Sequence, residues 1–80
     1  MSEKSLNIED RGGRKYLIKS YENRDETNSF LLISGCLAVR FDHFVIDRNE
    51  IELHMFMNGT RVATLDLALS AIDEISNLEK

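Results

Sequence analysis

Residues 54–63 read HMFMNGTRVA, and the turn at their centre decides the fold. Asn58-Gly59 is the favoured middle of a two-residue type I′ hairpin turn, because both positions need a positive φ that Asn and Gly adopt at little cost. Centring the turn there predicts Met57 opposite Thr60, Phe56 opposite Arg61, Met55 opposite Val62 and His54 opposite Ala63. One face of the hairpin then gathers Ile51, Leu53, Met55, Met57 and Val62. The other gathers Glu50, Glu52, His54, Phe56 and Arg61. The first set is expected in the core and the second mostly in solvent. Turn chemistry and side-chain alternation agree on this register.

Downstream, TLDLALSAIDEISNLEK changes period from two to 3.6. The spacing predicts a helix from about Leu65 to Leu78, with Thr64 or Asp66 as cap. Leu65, Ala68, Leu69, Ile72 and Ile75 form one stripe that would dock on a sheet. Leu67, Ala71 and Leu78 widen the apolar arc to about 200°, against the ~100° that one-sided packing needs. Either a curved sheet or the N-terminal residues Leu6 and Ile8 cover that flank, or Leu67, Ala71 and Leu78 form an interface rimmed by Asp73, Glu74 and Asn77.

Upstream of the hairpin the chain reads as strands. KYLIKSY (15–21) alternates, with Tyr16 and Ile18 on one side and Lys15, Leu17 and Lys19 on the other, as a lysine-decorated edge strand would. ENRDETN is a polar connector. SFLLIS suits a strand buried on both faces. Leu37, Val39 and Phe41 share a parity that Phe44 and Ile46 break, so a bulge or strong bend near Asp42–His43 is needed to keep both sets inside. DRNE (47–50) is a turn in which Asn49 best suits the left-handed conformation. Residues 1–14, with two isolated aliphatics and the pair Gly12-Gly13, read as a flexible arm preceding a single domain over 15–80.

The expected fold is therefore α+β: an antiparallel meander of four to five strands in one curved sheet, with one C-terminal helix packed on one face. Eighty residues make one small domain of thin stability margin. The longest apolar run, FLLISGCLAV, is too short to span a bilayer, and MSEKSLNIEDRGGRK lacks the apolar core of a signal peptide. A single cysteine, Cys36, excludes an internal disulfide framework and suits a reducing cytoplasm. Residues 1–30 carry six basic and six acidic side chains. Residues 31–80 carry four basic and eight acidic, so the net charge of −4 lies in the second part and argues against a phosphate-rich partner.

Catalytic and metal signatures are weak. Cys36 lies between Gly35 and Leu37 with no nucleophile-type context, and reads as a small hydrophobe. Cys36, His43 and His54 show no CxxC or HExxH spacing, so no metal, cofactor or catalytic residue is assigned. The expected function is a non-enzymatic protein-binding or regulatory module, cytoplasmic and homodimeric, acting by surface occupancy as an accessory or phage-encoded inhibitor would. Its interface is expected at Leu67, Ala71, Asp73, Glu74, Asn77 and Leu78, its partner another protein, with no membrane involved. The alternative is a nucleic-acid-binding accessory protein using Arg11, Arg14, Lys15, Tyr16 and Lys19, where cations beside an aromatic could follow a phosphate backbone and stack a base.

Overall fold

In the computed structural model, which describes residues 3–25 and 27–79, Asn58 and Gly59 take φ of 53° and 82°. The turn forms as its residues require. It joins β6 (Glu52–Met57) to β7 (Thr60–Asp66), with Met57 opposite Thr60 and Phe56 opposite Arg61. Beyond that point the register shifts by one: Met55 pairs with Ala63, His54 with Thr64 and Leu53 with Leu65. Val62 is the extra residue of a β-bulge. The cause lies in the pattern of β7 itself, since Ala63 and Leu65 pack toward the core while Val62 stays 46% exposed. Without the bulge, Val62 would go inward and Leu65 would not.

Five more strands precede this hairpin: β1 (Glu3–Glu9), β2 (Lys15–Glu22), β3 (Asn28–Ser34), β4 (Leu37–Phe41) and β5 (His43–Asp47). They give seven strands rather than four to five, in two antiparallel sheets rather than one, ordered β1-β2-β3-β4 and β5-β6-β7. Every paired neighbour is also a neighbour in sequence, so the meander holds throughout. The expected bend at Asp42 is the point where the chain leaves the first sheet for the second. Phe41 and Phe44 both end up buried, and the Asp42 N–H donates to the Phe56 carbonyl at 2.9 Å. The Asp42 carboxylate also accepts from the Asn58 N–H at 3.0 Å, fastening the bend to the tip of the hairpin.

The expected N-terminal arm is a strand from residue 3 onward; residues 1 and 2 lie outside the described residues. Leu6 and Ile8 supply the reason, pairing with Ile18 and Tyr16 and extending the buried face of the first sheet. β2 is consequently an interior strand, and the expected lysine-bearing edge is covered by β1. In the 47–50 turn the Asp47 carboxylate accepts from the N–H groups of Asn49 and Glu50. The left-handed residue is Ile51 (φ 56°), not Asn49.

The two sheets enclose one core. Ile18, Leu32 and Phe41 come from the first sheet, Leu53 and Met55 from the second. Phe30, Phe41 and Phe44 meet at the joint. The first two rings stack at 5.1 Å, and Phe44 stands edge-on to them at 5.2 and 6.3 Å.

The helix α1 is shorter than its periodicity predicts, running from Leu69 to Ser76 and followed by a 3₁₀ turn over Asn77–Glu79. Its first expected turn is extended chain instead. Leu65 and Asp66 are still in β7, the Leu67 N–H donates to the Ile51 carbonyl at 2.9 Å, and the Ala68 N–H donates to the Glu9 carbonyl at 3.2 Å. Backbone pairing to two separate segments outweighs local helix propensity there. Neither Thr64 nor Asp66 caps the helix; Ala68 holds the cap position without a side-chain bond. Ala71, Ile72 and Ile75 face the core, whereas Leu69, expected in the docking stripe, is 73% exposed.

Candidate functional site

The expected helix-flank interface does not assemble. Leu67 and Ala71 are each 1% exposed and belong to the core, and Leu78 is partly buried against it. Asp73, Glu74 and Asn77 are exposed as expected, but they rim no apolar surface made by those residues. The wide apolar arc is covered by the chain itself: Leu67 bridges to Asp10 at the β1–β2 turn, and α1 packs beside β1.

The basic segment is also divided. The Tyr16 ring is 7% exposed in the core and its hydroxyl donates to the Asp10 carboxylate at 3.1 Å, so it cannot stack on a base. Burial, together with that carboxylate, pushes the Tyr16 hydroxyl above its ordinary pKa. Asp10 is held below the usual carboxylate range, chiefly by the Arg14 N–H, with the Tyr16 hydroxyl assisting. Arg11 donates from its guanidinium to the Glu50 carbonyl at 2.9 Å. Arg11 therefore ties the β1–β2 turn to the β5–β6 turn and Arg14 closes the β1–β2 turn through its backbone N–H, while Lys15 and Lys19 lie on the outer face of the first sheet.

That outer face is where an apolar surface remains. Leu17 on β2 lies opposite Ile33 on β3, which lies opposite Ala38 on β4; one row along, Lys19, Leu31 and Arg40 align in the same way. Leu17, Leu31 and Ile33 are half-buried and Ala38 is exposed. Acidic residues line the β1 side of the face, with Glu9 opposite Lys15 and Glu3 opposite Tyr21. Glu3 pairs with Lys19 at 3.8 Å. A shallow concavity of about 620 Å³ opens at one end, between Glu3, Tyr21, Asn23, Leu31 and Arg40.

The outer face of the second sheet is mixed, with the exposed Val45 and the half-buried Phe56 among its polar residues. Asp47, Glu52 and Asp66 stand directly opposite one another across its three strands. His54, two residues along β6 from Glu52, lies 3.3 Å from it through Nε2, and its Nδ1 lies 3.3 Å from the Arg61 guanidinium. His43 packs at an angle beside the Phe56 ring on the same face, their centroids 5.9 Å apart. Cys36 is free and exposed in the turn between β3 and β4.

Both faces were obscured in the sequence for identifiable reasons. SFLLIS, read as buried on both faces, has only Phe30 and Leu32 fully inside, and its other parity supplies the surface patch. The E-x-H pair at 52–54 has the strand period, but Asp47 joins it only through the β5–β6 register. No helix among the described residues is long and apolar enough to cross a membrane. No protein-family profile matches the chain, and comparison with curated proteins and with solved structures finds no match to either.

Proposed function

We propose that the chain is a non-enzymatic protein-binding module that acts by surface occupancy, and that it pairs with a second copy through the outer face of its first sheet. The supporting observation is the contiguous patch of Leu17, Leu31, Ile33 and Ala38, rimmed by charges, on a face that none of the described elements covers. Apolar patches with polar rims mark interaction surfaces, and a domain of this size gains stability by pairing.

The charge layout favours a copy of itself. Acids line the β1 side, Glu3 and Glu9, and Arg40 stands on the β4 side. A two-fold axis parallel to the strands lays the β1 side of each copy over the β4 side of the other. Arg40 of each copy then falls over the Ser5 row of the other, one row from Glu3, while the apolar rows meet in the middle. Four strands ~4.8 Å apart and about six residues long give a footprint of roughly 400 Å² per copy. The two copies together bury about 800 Å², below the ~1,000 Å² that a stable interface clears, so the dimer is a weak one that forms and dissociates with concentration.

Light scattering coupled to size-exclusion chromatography tests this on wild type, Ile33→Glu and Leu17→Glu over a wide concentration range, with circular dichroism to confirm folding. A wild-type dimer that becomes a folded monomer in both variants supports the reading. A wild type that stays monomeric at the highest concentration removes the self-pairing. A dimer unmoved by either substitution removes the surface.

A further inference from the structure

We infer that Asp47, Glu52 and His54, on the outer face of the second sheet, form a binding site for a zinc-type divalent cation. One potential ligand atom from each of the three lies within 4.8 Å of the others. The Glu52 Oε1 to His54 Nε2 separation is 3.3 Å. With metal–ligand bonds of ~2.0–2.1 Å, neighbouring ligands of a tetrahedral cation sit about 3.3–3.4 Å apart, so Glu52 and His54 already stand at that separation, with an Asp47 oxygen within 4.8 Å of both.

A second observation is electrostatic. Asp47, Glu52 and Asp66 occupy directly opposed positions on three adjacent strands, an arrangement that costs stability when like charges are left uncompensated. Among the described residues, none of these three carboxylates makes an ion pair with lysine or arginine, and the His54 imidazole stands beside Glu52 alone. Arg11 and Arg48 lie nearby but are turned to the Glu50 carbonyl and the Ser76 hydroxyl. A divalent cation supplies the missing positive charge.

The donor set selects the cation. An imidazole with carboxylates suits zinc and its first-row neighbours, whereas magnesium and calcium favour all-oxygen sites. One Asp47 oxygen is oriented by the N–H groups of Asn49 and Glu50, which leaves the other to turn to the cation. Binding through Nε2 requires the His54 proton on Nδ1, where Arg61 cannot then donate. Arg61 therefore opposes the cation both by its charge and by its hydrogen bond. The site lies on the opposite sheet from the proposed dimer face, and it stands or falls independently of it.

Isothermal titration of the metal-stripped full chain with zinc chloride tests the site, with Cys36→Ser as the background so that the exposed thiol contributes nothing. The expected result is one equivalent of zinc, weakened about tenfold or more by Glu52→Gln, Asp47→Asn and His54→Ala, and tightened several-fold by Arg61→Gln. A purely structural role for Arg61 would not produce that gain. In the unsubstituted protein, zinc shifts the ring resonances of His54 before those of His43, a readout that needs no variant to fold. Absence of binding overturns the site, as does zinc binding that His54→Ala and Asp47→Asn leave unchanged. Calcium binding as tight as zinc and indifferent to His54 also overturns it.

Discussion

Replacing Phe41 tests the joint between the two sheets. The ring is 1% exposed, stacked on Phe30 at 5.1 Å and edge-on to Phe44 at 6.3 Å. Phe41→Leu keeps most of the apolar burial but removes both ring contacts, at ~0.5–1.5 kcal/mol each, so the cost is about 1–3 kcal/mol. Phe41→Ala adds a cavity and costs about 3–5 kcal/mol. A domain of this length has a total stability of roughly 4–12 kcal/mol, so the alanine variant loses a large share of it and the leucine variant remains folded. Urea denaturation followed by circular dichroism reads this directly. With a slope near 1 kcal/mol per molar, the leucine midpoint falls by about 1–3 M. Leu37→Ala on the same strand, where the side chain is 47% exposed, is the control and moves stability by no more than about 0.5 kcal/mol. If Phe41→Leu costs no more than that control, the three rings do not hold the sheets together and the account of the joint is wrong.

Leu67→Glu should unfold the protein, since it places a carboxylate at a site 1% exposed, while Leu69→Glu, at 73%, should melt within a few degrees of wild type. A Leu67→Glu protein that stays folded as a monomer would contradict the packing. Gly59→Ala, at φ 82°, should cost about 1 kcal/mol or more in chemical denaturation, because alanine resists the conformation the type I′ turn demands. Two pH dependences follow from the pair at the β1–β2 turn. Asp10 has a depressed pKa, so its contribution is present above the unfolded carboxylate range and is lost as the solution is acidified below about pH 4. Tyr16 has a raised pKa, so its contribution is present below the unfolded phenol value and fades as pH rises past about 10. Melting temperatures of Asp10→Asn and Tyr16→Phe should be flatter than wild type on the acid and alkaline sides respectively; parallel curves would show that neither group is coupled to folding.

Much of the site logic was hidden for a common reason. Leu67 and Ala71 have the helical spacing of an exposed flank, yet one is buried as extended chain bridging to Asp10 and the other on the core side of the first turn of α1. Periodicity describes a segment in isolation. It does not record that the N–H groups of Leu67 and Ala68 will be claimed by Ile51 and Glu9. The same holds for Leu17 and Ile33, which stay half-buried because no described element packs outside the first sheet. It holds again for Asp47, which meets Glu52 only when β5 and β6 are in register.

Local chemistry within the sequence determined the α+β class, the Asn58-Gly59 turn, the bend that lets Phe41 and Phe44 share one core, and the helical character of Leu69–Ser76. Each follows from residues within a few positions of one another, where turn geometry and side-chain period act directly. Only the tertiary structure decided that β1 belongs to the sheet, that there are two sheets, that Val62 bulges and that the helix starts four residues late. These outcomes depend on which distant backbone partners satisfy each N–H and on how much apolar surface a given register buries, and both are fixed only once the sheets close on each other.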